Sequence, residues 1–132
     1  MSIPNSTPIF VGLANLGHGV VSAANTNHDG TGTIVLVFTA GLYGSRVHRL
    51  RVKAAVTTTA GMVRLFIDDG ASKFLYKEIP ISAITISATV EAFVWELQLA
   101  NEDAIVLPTG YKIYASTHNA EAINVFIEGG DF

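Results

Sequence analysis

The sequence predicts an all-β domain, a jelly-roll-like sandwich of two antiparallel sheets with eight or nine strands. Three observations carry this. Short runs of β-branched and aromatic residues recur along the chain, clusters of Gly, Asn, Asp, Pro and Ser separate them at sandwich spacing, and helical periodicity is hard to find. The 132 residues suit one domain with its own core. With no cysteine in the chain, packing and strand pairing must hold that core rather than disulfides. The reading divides the chain into an extended N-terminal arm, residues 1–18, and a single β-sandwich domain, residues 19–132.

Pro4 and Pro8, among polar neighbours, mark the arm as extended chain, because proline fixes φ and donates no ladder hydrogen bond. Gly19 to Ala24 follows as a weak strand, and Asn25 to Gly32 is turn chemistry throughout. Thr33 to Thr39 is a continuous apolar run, as expected of a strand covered on both faces. From Arg46 to Val56 the pattern alternates, with Leu50, Val52, Ala54 and Val56 on one face and Arg49, Arg51 and Lys53 on the other. Gly61 to Asp68 repeats it, with Val63, Leu65 and Ile67 inward and Arg64 outward. Asp68-Asp69-Gly70 then turns the chain into Lys73 to Ile79 to make a hairpin.

Pro80 ends that strand, and Ile81 to Thr89 reads as an irregular or edge segment. Glu91 to Leu99 places Phe93, Trp95, Leu97 and Leu99 on one face, the heaviest aromatic load and so the expected centre of the core. A turn at Asn101, Glu102 and Asp103 leads to a short strand, Ile105 to Leu107, and to the tight turn Pro108-Thr109-Gly110. Tyr111 to Thr117 and Ala122 to Glu128 close the domain as a second hairpin around His118, Asn119, Ala120 and Glu121.

A net charge of −3 offers no general electrostatic reason to bind nucleic acid or an anionic membrane. No run of about 18 apolar residues occurs, so no membrane span is expected. Residues 1–28 carry no charged side chain except for any His ionisation, which leaves the basic region of a secretory signal missing and makes Asn5-Ser6-Thr7 an accidental match to a glycosylation acceptor. Charged residues make up 14% of the chain, against roughly 25% in an ordinary soluble domain. A surface so poor in charge predicts a protein assembled against other subunits.

Chemistry is sparse. His18, His28, His48 and His118 fall in different predicted elements and lack chelating spacing, so each reads as a surface or hydrogen-bonded histidine. His28-Asp29 is no dyad without an activated serine, Asp68-Asp69-Gly70 is turn chemistry first, and Asp29-Gly30-Thr31-Gly32-Thr33 supplies one carboxylate where a calcium loop wants several. No phosphate-cradling glycine motif appears. The expectation is a non-enzyme without catalytic residues, cofactor or metal. Arg49, Arg51 and Lys53, joined by Arg46 and Arg64, form a basic stripe on one exposed strand face. It reads equally as a solvated face that resists edge-to-edge aggregation and as a contact for an acidic partner surface.

From about Ala23 onward the chain resembles the head-decoration or cement proteins of tailed phages and prophages. The segments that carry the resemblance are Ala24 to Thr33, Gly44-Ser45-Arg46-Val47 with the strand after it, Leu107-Pro108-Thr109-Gly110-Tyr111, and Tyr114 to Glu121. The resemblance implies a virion component, made in the host cytoplasm, that sits on the capsid surface as a homo-oligomer, a dimer or trimer. There it would clamp neighbouring subunits of the major capsid protein and stabilise the shell by mass action. Two other readings stand beside it. A carbohydrate- or receptor-binding jelly roll of a tail or fibre would use exposed Tyr43, Tyr76, Tyr111 and Tyr114 to stack on sugars. A cupin-like enzyme would need clustered His and carboxylate ligands on neighbouring strands.

Overall fold

The computed structural model describes residues 12–99 and 103–132. Nine strands are present in them: β1 (Leu13–Val21), β2 (Val35–Thr39), β3 (Ser45–Ala54), β4 (Gly61–Asp68), β5 (Lys73–Ile81), β6 (Val94–Gln98), β7 (Ile105–Leu107), β8 (Lys112–Thr117) and β9 (Ile123–Asp131). A five-stranded front sheet runs β1-β9-β3-β6, with β7 pairing the first residues of β3, and a four-stranded back sheet runs β2-β8-β4-β5. All the strand pairs are antiparallel. The pairs β1 with β9, β2 with β8, β3 with β6 and β4 with β5 nest like one long rolled hairpin, which is jelly-roll wiring.

The core lies between the two central pairs of strands. Val47, Leu50, Val52 and Ala54 of β3, with Ile123, Val125 and Ile127 of β9, face Val63 and Leu65 of β4 and Ile113 and Ala115 of β8; Phe38 of β2 fills the β1 side. Each full-sized side chain among them contributes about 1.5–3 kcal/mol by leaving water. The expected centre of the core, Phe93 to Leu99, does face inward, but β6 is an edge strand. Trp95 and Leu97 are therefore only half-buried, and the Lys77 ammonium lies 5.9 Å from the indole centroid across the open edge.

The first strand departs most from expectation. It begins at Leu13, so Leu13 to His18, expected in the arm, are paired to β9 within the sandwich; the arm's residues 1–11 lie outside the described residues. Gly17 and Gly19 occupy the inward positions opposite Ile127 and Val125. Their lack of a side chain lets β1 lie against β2, so close that a Cβ on Gly17 would stand 2.2 Å from the Val37 carbonyl oxygen. Asn15 Nδ2 donates to the Thr39 carbonyl at 3.0 Å across the same seam.

Smaller differences have similar causes. The strand expected from Thr33 starts at Val35, and its Leu36 points out and is exposed, so this run is not covered on both faces. Val56 lies beyond the end of β3 and is exposed. Pro80 does not end its strand: it sits within β5 opposite Met62, on an edge where a missing N–H costs no ladder bond. The turn expected at Asn101, Glu102 and Asp103 falls mostly outside the described residues.

The β4–β5 turn is built as its composition predicts. Asp68 accepts from the Gly70 N–H at 2.8 Å, Asp69 accepts from those of Ala71 and Ser72 at 2.9 and 2.8 Å, and Gly70 takes φ 97°. The Ser72 and Ala71 N–H groups hold the Asp69 carboxyl below the usual aspartate value of 3.8. A carboxyl depressed on folding adds stability above its unfolded value and loses it as pH falls through the folded one. The melting temperature of the wild type should therefore drop more steeply below about pH 4 than that of Asp69→Asn, and parallel curves would refute the assignment.

Candidate functional site

The outer face of the front sheet brings together most of the predicted partner-binding residues. Strand register lays it out in four rows. Ala14, Gly130, Arg46 and Val106 form the first; Leu16, Glu128, Arg49 and Gln98 the second; His18, Phe126, Arg51 and Glu96 the third; and Val20, Asn124, Lys53 and Val94 the fourth. A bulge between Val47 and Arg49 keeps Arg46 on the same face as Arg49 despite their odd spacing. Arg49, Arg51 and Lys53 thus form one column along β3, as the alternation predicts, and the bulge adds Arg46 to it.

The column is not a free basic stripe. Arg49 lies 3.1 Å from Glu96 and 3.8 Å from Glu128, Arg51 lies 2.7 Å from Glu96, and Lys53 lies 2.7 Å from Glu91. Lys53 holds the Glu91 carboxyl below its usual range by hydrogen bond and charge. Three carboxylates supplied by β9, β6 and the segment before β6 offset four cations, so the face has little net charge. Sequence periodicity finds the cations; strand order decides which acids stand beside them. Between the columns a shallow depression opens over β9, lined by Leu16, Arg51, Phe126 and Glu128.

Arg64 does not belong to this face. It points outward from β4, on the back sheet, where the β1–β2 connection covers it and leaves it 5% exposed. Its Nε lies 3.7 Å from Glu78 Oε2, and it donates to the Asn25 carbonyl at 3.5 Å. Asn25 shapes that connection, donating through Nδ2 to the Thr31 and Thr33 carbonyls at 2.9 and 2.8 Å while its backbone N–H donates to Thr117. The segment most distinctive in the sequence is thus a polar cover for the back sheet.

A second surface was not legible. The tight turn Gly41-Leu42-Tyr43-Gly44 closes with a hydrogen bond from Gly44 N–H to Gly41 O at 3.0 Å and carries Leu42, 62% exposed, and Tyr43, 42% exposed. Turn tips ordinarily carry polar residues. Beneath it the buried Ser45 hydroxyl donates to Asp131 at 2.6 Å and accepts from the Gly41 N–H at 2.8 Å, and Asn15 Nδ2 donates to the same carboxylate at 2.9 Å. Leu13 and Val106, also exposed, lie at this end of the sandwich. The turn is therefore a rigid apolar projection.

The four histidines stand apart. His18 is on the front face, His28 in the β1–β2 connection 3.7 Å from Glu78, His48 at the β3 bulge, and His118 just after β8. Among the described residues no three His, Asp or Glu side chains converge in a way that would hold a metal. The tyrosines are dispersed as well: Tyr43 on the apolar turn, Tyr76 on β5, Tyr111 beside Ala40, and Tyr114 on the back sheet under the Lys73 ammonium at 5.2 Å. Compared with protein-family models the chain matches none, and compared with curated proteins it also matches none.

Proposed function

We propose that the protein is a non-enzymatic structural component of a phage virion, a decoration protein that docks on the outer surface of the major capsid lattice and stabilises it. The observation that carries the reading is the Gly41-Leu42-Tyr43-Gly44 turn: a preorganised pair of apolar anchors on a rigid β scaffold, locked from below by Ser45 and Asp131. Anchors already held in one conformation lose little entropy on docking, and tyrosine is enriched among the residues that carry most of the binding energy at protein interfaces. The resemblance of Ala24 to Thr33 and Tyr114 to Glu121 to cement proteins supplies the partner. The tyrosines fall in two places, Tyr43 and Tyr111 near the β2–β3 turn and Tyr76 and Tyr114 on the back sheet, so the four do not form the single stacking platform a sugar-binding reading asks for.

Stabilisation follows from linkage. A protein that binds the closed shell and not its separated subunits raises the free energy of opening by about 2.7 kcal/mol per site at a hundredfold excess over Kd. Adding the purified protein to undecorated capsids of the parent virus should raise their rupture temperature, and Leu42→Asp, a change at an exposed position, should abolish the rise without unfolding the protein. Unchanged rupture with no binding would overturn the proposal, and capture on a glycan array with no capsid binding would replace it with the receptor reading.

A further inference from the structure

The front-sheet face matches itself, and we infer that its occupant is a second copy of this chain, stacked face to face about a two-fold axis that runs along the strands between β9 and β3. The inference goes beyond capsid docking and does not depend on it. Two in-plane axes keep two such sheets aligned. An axis across the strands would lay β3 on β3 and set Arg49 against Arg51 of the second copy, like charge on like charge. An axis along the strands exchanges β9 with β3 and β1 with β6 and keeps each row in register.

In that arrangement the first row sets Gly130 against Arg46 and Ala14 against Val106, and every facing pair of the other three rows is compatible. Glu128 meets Arg49, Phe126 meets Arg51, Asn124 meets Lys53, His18 meets Glu96, Leu16 meets Gln98 and Val20 meets Val94. Each pair occurs twice, as an isologous contact requires. Arg51 of one copy, held in its own chain by Glu96 at 2.7 Å, would lie opposite Phe126 of the other, a cation against an aromatic ring. Arg49, 38% exposed and with ion-pair partners at 3.1 and 3.8 Å, retains guanidinium N–H groups to offer a second carboxylate. Leu16, Val20 and Val94, exposed in the single chain, would be covered.

The area is sufficient for a weak, specific contact. Four strands about 4.8 Å apart and four rows about 6.8 Å apart span roughly 500 Å² per copy, or about 1,000 Å² for the pair, near the lower bound for specific interfaces. A concentration-dependent dimer is expected, not an obligate one.

Charge exchange in trans tests the arrangement. Glu128→Arg removes one half-exposed ion pair and Arg49→Glu removes two, changes that leave folding nearly intact. Analytical ultracentrifugation over a hundredfold concentration range should show the wild type reaching twice the monomer mass and each variant remaining monomeric. An equimolar mixture of the two should dimerise again, because the new Arg of one copy then faces the new Glu of the other. A role confined to pairs within one chain cannot give that rescue. Val20→Arg, at an exposed edge position, should weaken the dimer at least tenfold and provides a second test should either charge variant misfold. A monomeric wild type, variants that still dimerise, or a mixture that remains monomeric would overturn the inference. None of these results depends on whether capsids are bound.

Discussion

Replacing Gly17 by alanine is expected to destabilise the fold by about 3 kcal/mol or more, far beyond the usual cost of one methyl group. The new Cβ would lie 2.2 Å from the Val37 carbonyl oxygen and 2.9 Å from the Phe38 ring. The first obstacle is backbone, which cannot turn aside as a side chain can, so β1 must withdraw from β2. Withdrawal would open the seam bridged by Asn15 and Thr39 and expose Phe38, one of the largest fully buried side chains. Gly19→Ala provides the control. Its Cβ would meet a methyl of Val35 at 3.0 Å, a contact that rotation of the valine relieves, and a loss of about 1 kcal/mol is expected. Urea denaturation of both variants tests the contrast. Equal stabilities would show that the seam does not depend on a bare backbone at position 17.

The same residue explains what could be read from the sequence. Strands whose buried face carries apolar side chains were legible: β4 spans Gly61–Asp68 and β7 Ile105–Leu107 as the alternation indicates, and β3 has Leu50, Val52 and Ala54 inward and Arg49, Arg51 and Lys53 outward. In β1 the pattern is inverted. Glycines take the inward positions because a neighbouring backbone is there, while Leu16 and Val20 face out, so local composition suggests an extended arm followed by a weak strand. Trp95 shows another boundary of such reading. Periodicity gives the direction of a side chain, but strand order decides whether anything covers it, and β6 lies at an edge.

The candidate surfaces divide along similar lines. The basic column on β3 was visible because it is local. Its neutralisation by Glu96 and Glu128, and the removal of Arg64 to a covered site on the other sheet, come from residues distant in sequence. The apolar turn was hidden for a related reason. Gly41-Leu42-Tyr43-Gly44 looks like an ordinary loop until Asp131, nearly ninety residues on, is found beneath it, 86 residues from its partner Ser45.

Asp131→Ala should therefore affect both stability and docking. The carboxylate is 9% exposed and accepts from the Ser45 hydroxyl at 2.6 Å and the Asn15 amide at 2.9 Å, and Ser45 in turn accepts from the Gly41 N–H. Its removal leaves the fully buried Ser45 hydroxyl without its acceptor and takes one of two acceptors from the half-buried Asn15 amide, which keeps the Thr39 carbonyl. Unpaired buried donors cost about 1–3 kcal/mol each, so a total loss of about 2–4 kcal/mol is expected. Both donors reach the same oxygen, Oδ1, so the amide oxygen of Asp131→Asn can keep both bonds and loses only the strength the charge adds; less than half that loss is expected. Chemical denaturation gives both values, and a change below about 0.5 kcal/mol would show that the network is not structural. Capsid binding, measured well below either variant's melting temperature, then isolates the second effect. If Leu42 and Tyr43 dock because the turn is held rigid from below, Asp131→Ala must weaken binding even when every molecule is folded, since ordering a loosened turn now draws on the binding free energy. Full affinity in a folded Asp131→Ala protein would mean that the turn needs no support from this network and that docking uses another surface.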